Sequence, residues 1–396
     1  MAYRKFRANK LFTGHKFLDN DAVLVTDENG SVQEIVSLEA AGDAVESFNG
    51  ILCPGFINTH CHLELSHMKG MIPPKSGMIS FLLSVMKHRD IDKEIVLQAM
   101  AEAESAMLDK GIVAVGDICN TTDTLALKKQ GNLLYHNFIE ALGFVGALAD
   151  QRFEIAHKVF LQFASLYNIP AESNSIVPHS PYSVSAELFQ KIVDFPGNHL
   201  LTIHNQESEE ENEFFRDGSG DFLRLYKSMG IDISFHKGNK KTSLQNFANR
   251  FYRNQSLILV HNVHTNKEDL EYIDLYSAIK ENLYFCLCPN ANLYINERLP
   301  DLEMLVKYSS NIVIGTDSLA SNHQLDILEE LKTLQKEYPS IETVELLKWA
   351  TINGANALQL SDVLGSFEPG KQPGIVLIRN ADEDTLLKNA DSLRVL

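Results

Sequence analysis

The most chemically suggestive run in the chain is His60-Cys61-His62, which closes an apolar segment that begins at Gly55. In an extended strand, residues i and i+2 share a face, so the two imidazoles aim at one point and Cys61 aims away. That spacing suits metal ligation. Further along, other apolar runs end in or just before His179, His204, His261 and Asp317. A lone histidine at a strand end is more often a hydrogen-bonded structural residue than a ligand. Several at the same end of one fold are different, because each buried polar group needs a partner and one metal ion supplies it for several at once. A third imidazole from His204 and a carboxylate from Asp317 would complete a four-ligand site with room for a water, the layout of a hydrolytic metal centre. Glu207, in HNQES just after His204, lies close enough to reach the same mouth. Its plain alternative is the first carboxylate of a solvated acidic run with Glu209, Glu210, Glu211 and Glu213.

The elements that must position these residues are legible in the pattern. Eight short apolar runs begin at Gly55, Ile112, Leu133, Ser175, Leu200, Leu257, Leu283 and Asn311, with helical segments between them. Val96, Met100, Ala103 and Met107, for example, recur on one helical face that Gly111 ends. Strand alternating with helix eight times predicts an α/β fold, a (β/α)8 TIM barrel whose buried parallel strands are apolar throughout. Two connections, 63–111 and 206–256, are long for a bare barrel and are expected to carry the substrate site. The first fifty residues instead read as short strands (Lys10–Phe12, Val23–Thr26, Val32–Val36), the last two joined through Asn29-Gly30. After a final helical stretch from Ile341 to Leu358, LGSFEPGKQPGIVLI reads as turns and a strand. The expected organisation is a β-sandwich domain built from both termini, residues 1–54 and 359–396, around a barrel at 55–358.

Composition limits the partners. With 396 residues, 35 Lys+Arg and 52 Asp+Glu, the formal charge is −17, which repels both a phosphate backbone and an anionic membrane surface. No stretch approaches the apolar length of a spanning helix and no export signal is evident. The five cysteines are too scattered for a disulfide framework, which suits a cytoplasmic protein with free thiols. Cys286 and Cys288 read as small core residues. His136, His15, His88, His157, His199 and His236 read as structural or surface histidines.

PGFINTHCHLELS, IHNQES, LVHNVH, IGTDSLASN and LGSFEPGK, in that order and spacing, resemble the amidohydrolase superfamily, specifically its cytosine deaminase-like branch of metal-dependent aminohydrolases. The resemblance spans nearly the whole chain and extends to aminodeoxyfutalosine, S-adenosylhomocysteine and guanine deaminases. It implies one divalent metal, zinc or alternatively iron, on His60, His62, His204 and Asp317. It further implies that Glu207 shuttles protons, that His261 orients the hydrolytic water, and that Asp317 joins both in catalysis. SIVPHSPYS has none of the lysine that bridges two metals in other members, which implies a mononuclear site. PHSPYS makes His179 a candidate substrate contact; Glu64 and Asn322 are further candidates, with His67 and Arg216 behind them.

The activity so implied is hydrolytic deamination, an exocyclic amine on a purine-like or related heterocycle becoming a carbonyl with release of ammonia, of aminodeoxyfutalosine or adenosine type. The expected partner is thus a small heterocyclic amine, with no nucleic acid or membrane, and a homodimer is compatible. The alternatives are a cyclic amide or imide ring hydrolase of the same superfamily, or a non-catalytic metal- or ligand-binding barrel. HxxE after the fifth run favours the deaminase over the first, and the intact Glu207, His261 and Asp317 speak against the second.

Overall fold

The computed structural model describes residues 3–89, 91–166, 173–382 and 384–396. Seven short strands come first: β1 (Tyr3–Arg7), β2 (Lys10–Phe12), β3 (Phe17–Leu18), β4 (Ala22–Asp27), β5 (Val32–Ser37), β6 (Glu46–Ser47) and β7 (Ile51–Pro54). Asn29-Gly30 reverses the chain between β4 and β5, with Gly30 at φ +85°. There the Asp27 carboxylate accepts the amides of Asn29 and Ser31 at 2.9 Å, an Asx turn that explains the local composition.

The eight anticipated runs are strands: β8 (Phe56–Cys61), β9 (Ile112–Cys119), β10 (Leu134–Ala141), β11 (Asn174–Pro178), β12 (Leu200–Asn205), β13 (Ser256–His261), β14 (Leu283–Leu287) and β15 (Ile312–Ile314). They form two four-stranded parallel sheets, ordered β11-β10-β9-β8 and β12-β13-β14-β15. Every residue of β8 and β12 is buried, as strands covered on both faces must be. Both junctions between the sheets are stitched where the strands end. Cys61 bridges Asp317 just past β15, Thr316 and Asp317 donate their amides to the His60 carbonyl at 3.0 and 3.1 Å, and His204 donates its amide to the His179 carbonyl at 3.0 Å. Helices alternate with the strands, and Lys93–Asp109 buries the predicted stripe of Val96, Met100, Ala103 and Met107. The long final helix is instead two, Thr343–Ala350 and Ile352–Ala357, broken at Thr351.

β16 (Ile375–Ala381) and β17 (Leu386–Arg394) complete a five-stranded sheet, β17-β16-β7-β2-β3, that draws on both ends of the chain. A separate sheet, β5-β4-β1-β6, is N-terminal throughout. Phe6, Leu11, Leu24, Leu52, Phe367, Ile375 and Leu377 pack together in one apolar cluster that joins the two sheets. No helix among the described residues is long and apolar enough to cross a membrane.

One polar element runs through the interior. Asp117 of β9 and Lys128 are fully buried and paired at 2.5 Å, with the ammonium also 2.7 Å from Asn137 Oδ1. The other Asp117 oxygen accepts the Leu63 amide at 2.9 Å and so fixes the chain as it leaves His60-Cys61-His62. Removing one member of a buried pair strands the other charge, whereas removing both does not. Lys128→Met is therefore expected to cost about 3–5 kcal/mol, and adding Asp117→Asn should recover much of that loss. Urea denaturation midpoints of the single and double variants check both.

Candidate active site

The strand ends bring the chemical groups together. The pairing of β8 with β9 shifts register between Asn58 and Cys61, a local irregularity of the kind that re-aims side chains next to functional sites. His60 and His62 leave β8 on the same side, and His204 leaves β12. Asp317 sits at φ +56°, an unusual conformation for a non-glycine residue, held by its own amide on His60 and by the His62 amide on its carbonyl at 3.4 Å. Gly315 lets β15 come this close. A Cβ there would lie 2.8 Å from His60 Cβ and 2.9 Å from Cys286 Sγ. Ser321 donates a short hydrogen bond to Asp317 Oδ2, leaving Oδ1 to face the histidines.

The donor atoms of His60, His62, His204 and Asp317 lie within 4.8 Å of one another. Asp317 Oδ1 is 3.6 Å from His60 Nε2 and 3.4 Å from His62 Nε2, and the Nε2 atoms of His62 and His204 are 3.1 Å apart. Ligands about 2.1 Å from a tetrahedral zinc are separated from one another by about 3.4 Å, so these edges fit one ion. His60 makes the stronger argument, since both of its ring nitrogens are buried without a hydrogen bond. A neutral imidazole offers one lone pair, and leaving it buried and unmet costs about 1–3 kcal/mol, which an ion bound there would relieve. His204 donates Nδ1–H to the His179 carbonyl at 2.7 Å, which fixes its tautomer and turns the Nε2 lone pair into the cluster. Burial lowers the pKa of His62 to about 4 and that of His204 well below the ordinary range, keeping both rings neutral. Burial alone would raise Asp317, but the imidazoles of His60, His62 and His261 outweigh it and hold it ionised.

Beside the cluster lies a second pair. Glu207 is 6 % exposed, so it is not part of a solvated run, in contrast to the exposed Glu209. Burial, with Asp317 and Glu211 nearby, raises its pKa well above the carboxylate range, which equips it to carry a proton. Its Oε2 is 3.6 Å from His261 Nε2. The Asn292 amide donates to His261 Nδ1 at 2.9 Å, so Nε2 carries the hydrogen, and that nitrogen is buried without a hydrogen bond. Glu207 is held by its backbone: the buried Glu211 carboxylate accepts the amides of Gln206 at 3.1 Å and Glu207 at 3.3 Å.

These groups open into a cavity of about 290 Å³. His62, His204, Asp317 and Glu207 form its floor, with His179 and Glu140 on one side. Met78, Phe81, Leu82 and Val85 from the connection after β8, and Leu225, Met229 and Ile231 from that after β12, supply apolar walls, so both long connections reach it. A substrate with a large apolar face and a few polar atoms suits such a lining.

The model of the amidohydrolase family matches residues 51–392. The chain belongs to that family. It is 29% identical over 337 residues to the aminodeoxyfutalosine deaminase of a Nitratiruptor species, covering 83% of this chain and 79% of the relative. Among solved structures it resembles Helicobacter pylori aminofutalosine deaminase in complex with methylthio-coformycin, with a TM-score of 0.81 at 23% identity over 99% of this chain and 100% of that one. It also resembles an adenosine deaminase from Xanthomonas campestris with bound zinc, with a TM-score of 0.72 at 22% identity over 97% and 87% of the two chains.

Within this family member, the four ligand candidates, Glu207, His261 and His179 are all brought to one place. Glu64 and Asn322 are not among the cavity's lining residues. The Glu64 carboxylate accepts from the Asn120 and Thr121 amides and the Thr121 hydroxyl, and the Asn322 amide donates to the Thr316 carbonyl and to Glu330. Both therefore shape loops. His67 bridges two backbone carbonyls and Arg216 pairs with Glu209 and Asp217 at the surface. Sequence reasoning missed Glu140, Arg89, Asn120 and Arg152, which line the cavity. Glu140 alone carried a signal, as a carboxylate closing a buried strand run, overshadowed by His136, which bonds Ser175 inside the fold.

Protein purified from metal-replete medium is expected to hold about one divalent ion per chain, the stoichiometry of a single four-ligand site. The His60→Ala, His62→Ala double variant should lose that ion while keeping its far-UV circular dichroism. Elemental analysis of both proteins decides it.

Proposed function

We propose that this chain is a metal-dependent deaminase of a purine nucleoside-like amine, of the aminodeoxyfutalosine or adenosine type. The observation that carries the reading is the buried Glu207 packed against His261, immediately beside the four-ligand cluster and lining a largely apolar cavity. The relatives' activities and the methylthio-coformycin bound by the Helicobacter pylori protein support the substrate class. His60, His62, His204 and Asp317 would hold the ion; zinc is preferred and iron is the alternative. The chemistry that ion supplies is activation of water at neutral pH.

The remaining chemistry belongs to the chain's own groups. Glu207 gives its proton to the ring nitrogen next to the amine-bearing carbon, making that carbon more electrophilic. His261 orients the attacking water through its Nε2–H, and Asp317 takes up the water's proton. Water's oxygen bonds to the carbon, the carbon–nitrogen bond to the exocyclic amine breaks, and Glu207 relays a proton to the departing ammonia. His179 contacts the substrate at the cavity wall. The apolar walls exclude bulk water and accommodate the rest of the nucleoside.

The architecture behind this reading is also a proposal. The two parallel sheets, stitched at both junctions, are halves of one (β/α)8 barrel spanning 55–358. The two small sheets face each other as a sandwich formed by 1–54 and 359–396.

Glu207→Gln preserves volume but removes the titratable group. Turnover should fall about 10²-fold or more, with metal content unchanged, whereas the exposed Glu209→Gln should stay within a few-fold of the parent. Ammonia release from adenosine-type nucleosides at matched metal loading is the measurement. Equal activities for the two variants would remove Glu207 from the mechanism and favour ring hydrolysis with another proton donor.

A further inference from the structure

Glu140, next to last in β10, lies outside both the ligand cluster and the Glu207–His261 pair, yet it is only 8 % exposed and both of its oxygens are engaged. Oε1 accepts from His179 Nδ1 at 2.5 Å, and Oε2 accepts from the Asn120 side-chain amide at 2.6 Å. The Asn120 carbonyl oxygen is held in turn by the Arg89 guanidinium, at the C-terminal end of the helix Met78–His88. On the far side, the His179 carbonyl accepts both the backbone amide and the ring Nδ1–H of His204. An unbroken chain of hydrogen bonds thus runs from Arg89 at the cavity wall through Asn120, Glu140 and His179 to a ligand of the cluster.

We propose that Glu140 is a positioning residue that locks the His179 ring with Nδ1–H turned inward, so that Nε2 alone meets the bound substrate. The proposal deepens the deaminase reading and rests on it for its kinetic consequences. An imidazole has two chemically different edges, and a protein selects one by fixing a partner for the other. His179 needs such a partner, because its side chain is 20 % exposed and its ring has no other hydrogen bond among the described residues. The carboxylate is the right partner because it accepts from both sides, from His179 and from Asn120. Asn120 cannot turn its carbonyl toward Glu140 without giving up Arg89. Glu140, His179 and His204 also lie close enough together to suggest a second metal site. That grouping would use a His204 nitrogen whose hydrogen is already donated to a carbonyl at 2.7 Å, so positioning is the reading the bonds support.

The substitution Glu140→Gln is informative. Gln has one accepting oxygen and one NH2, so it must face either the His179 N–H or the Asn120 NH2 with a donor. In zinc-loaded protein, Glu140→Gln should lower kcat/KM about 10- to 100-fold, mostly through KM, with metal content at the parent level. In a His179→Ala background the same change should cost less than about two-fold, because a residue acting through another has nothing left to act on. Equal fold-losses in the two backgrounds, or no loss in either, would overturn the proposal. Asn120→Ala, which removes the second support of the carboxylate, should give a weaker loss with the same dependence on His179, and it serves if Glu140→Gln does not fold.

A readout independent of turnover uses protein labelled with 15N-histidine. The imidazole signal absent from His179→Ala should report the Nδ1–H tautomer in the parent and a shifted or mixed state in Glu140→Gln. An Nε2–H signal in the parent would overturn the proposal even if deamination is confirmed. Conversely, failure of every nucleoside to release ammonia would overturn the deaminase reading and leave the tautomer measurement to decide the role of Glu140.

Discussion

Nitrogen lone pairs that the protein itself leaves unsatisfied organise this structure. His60 is wholly buried with neither ring nitrogen hydrogen-bonded, and the Nε2 atoms of His62 and His204 face each other at 3.1 Å. Such an arrangement is costly in an apolar interior. It becomes favourable when one cation takes up several lone pairs together, with Asp317 supplying the negative charge. Much of the local backbone serves that convergence. The irregular register before Cys61, the left-handed Asp317 and the absence of a side chain at Gly315 all fall where these strand ends meet. Asp117 and Lys128 then anchor the chain as it turns away from His62.

The same logic of one group satisfying several others recurs around the site. Glu211 accepts two consecutive amides and so aims Glu207 without touching the cavity. Glu330 accepts the Asn290 amide and the Asn322 side chain, which ties the start of the helix after β14 to the loop after β15. Buried carboxylates of this kind act as cross-links between loops. They give residues drawn from separate connections a shared anchor, although loops are intrinsically mobile.

Much of this was legible in the amino-acid sequence because buried parallel strands must be apolar throughout, and each of the eight runs did so in a recognisable length. Period-2 geometry was sufficient to place His60 and His62 together. It could not fix the direction of Asp317 or Glu207, because both lie where the chain has left the ladder: β15 ends at Ile314, and Gln206 sits at φ +46°. The reading of Glu64 and Asn322 as substrate contacts came from their proximity in sequence to ligands, which says nothing about the hydrogen bonds that occupy them. Asn120 and Arg89 lie on turns with no periodicity. The chain from Arg89 to His204 joins groups far apart in sequence, so only the folded arrangement reveals it.

The central claim is that a single bound metal and a buried carboxylic acid together convert an exocyclic amine to a carbonyl. Its most direct test is turnover of a series of adenosine-type nucleosides by chelator-stripped protein, before and after addition of one equivalent of zinc, with ammonia and product mass followed in parallel. The stripped protein should show negligible turnover, restored on zinc addition. Ammonia should equal in amount a product in which oxygen has replaced the amine. Undiminished ammonia release from the metal-free protein, or a ring-opened product without ammonia, would contradict the claim.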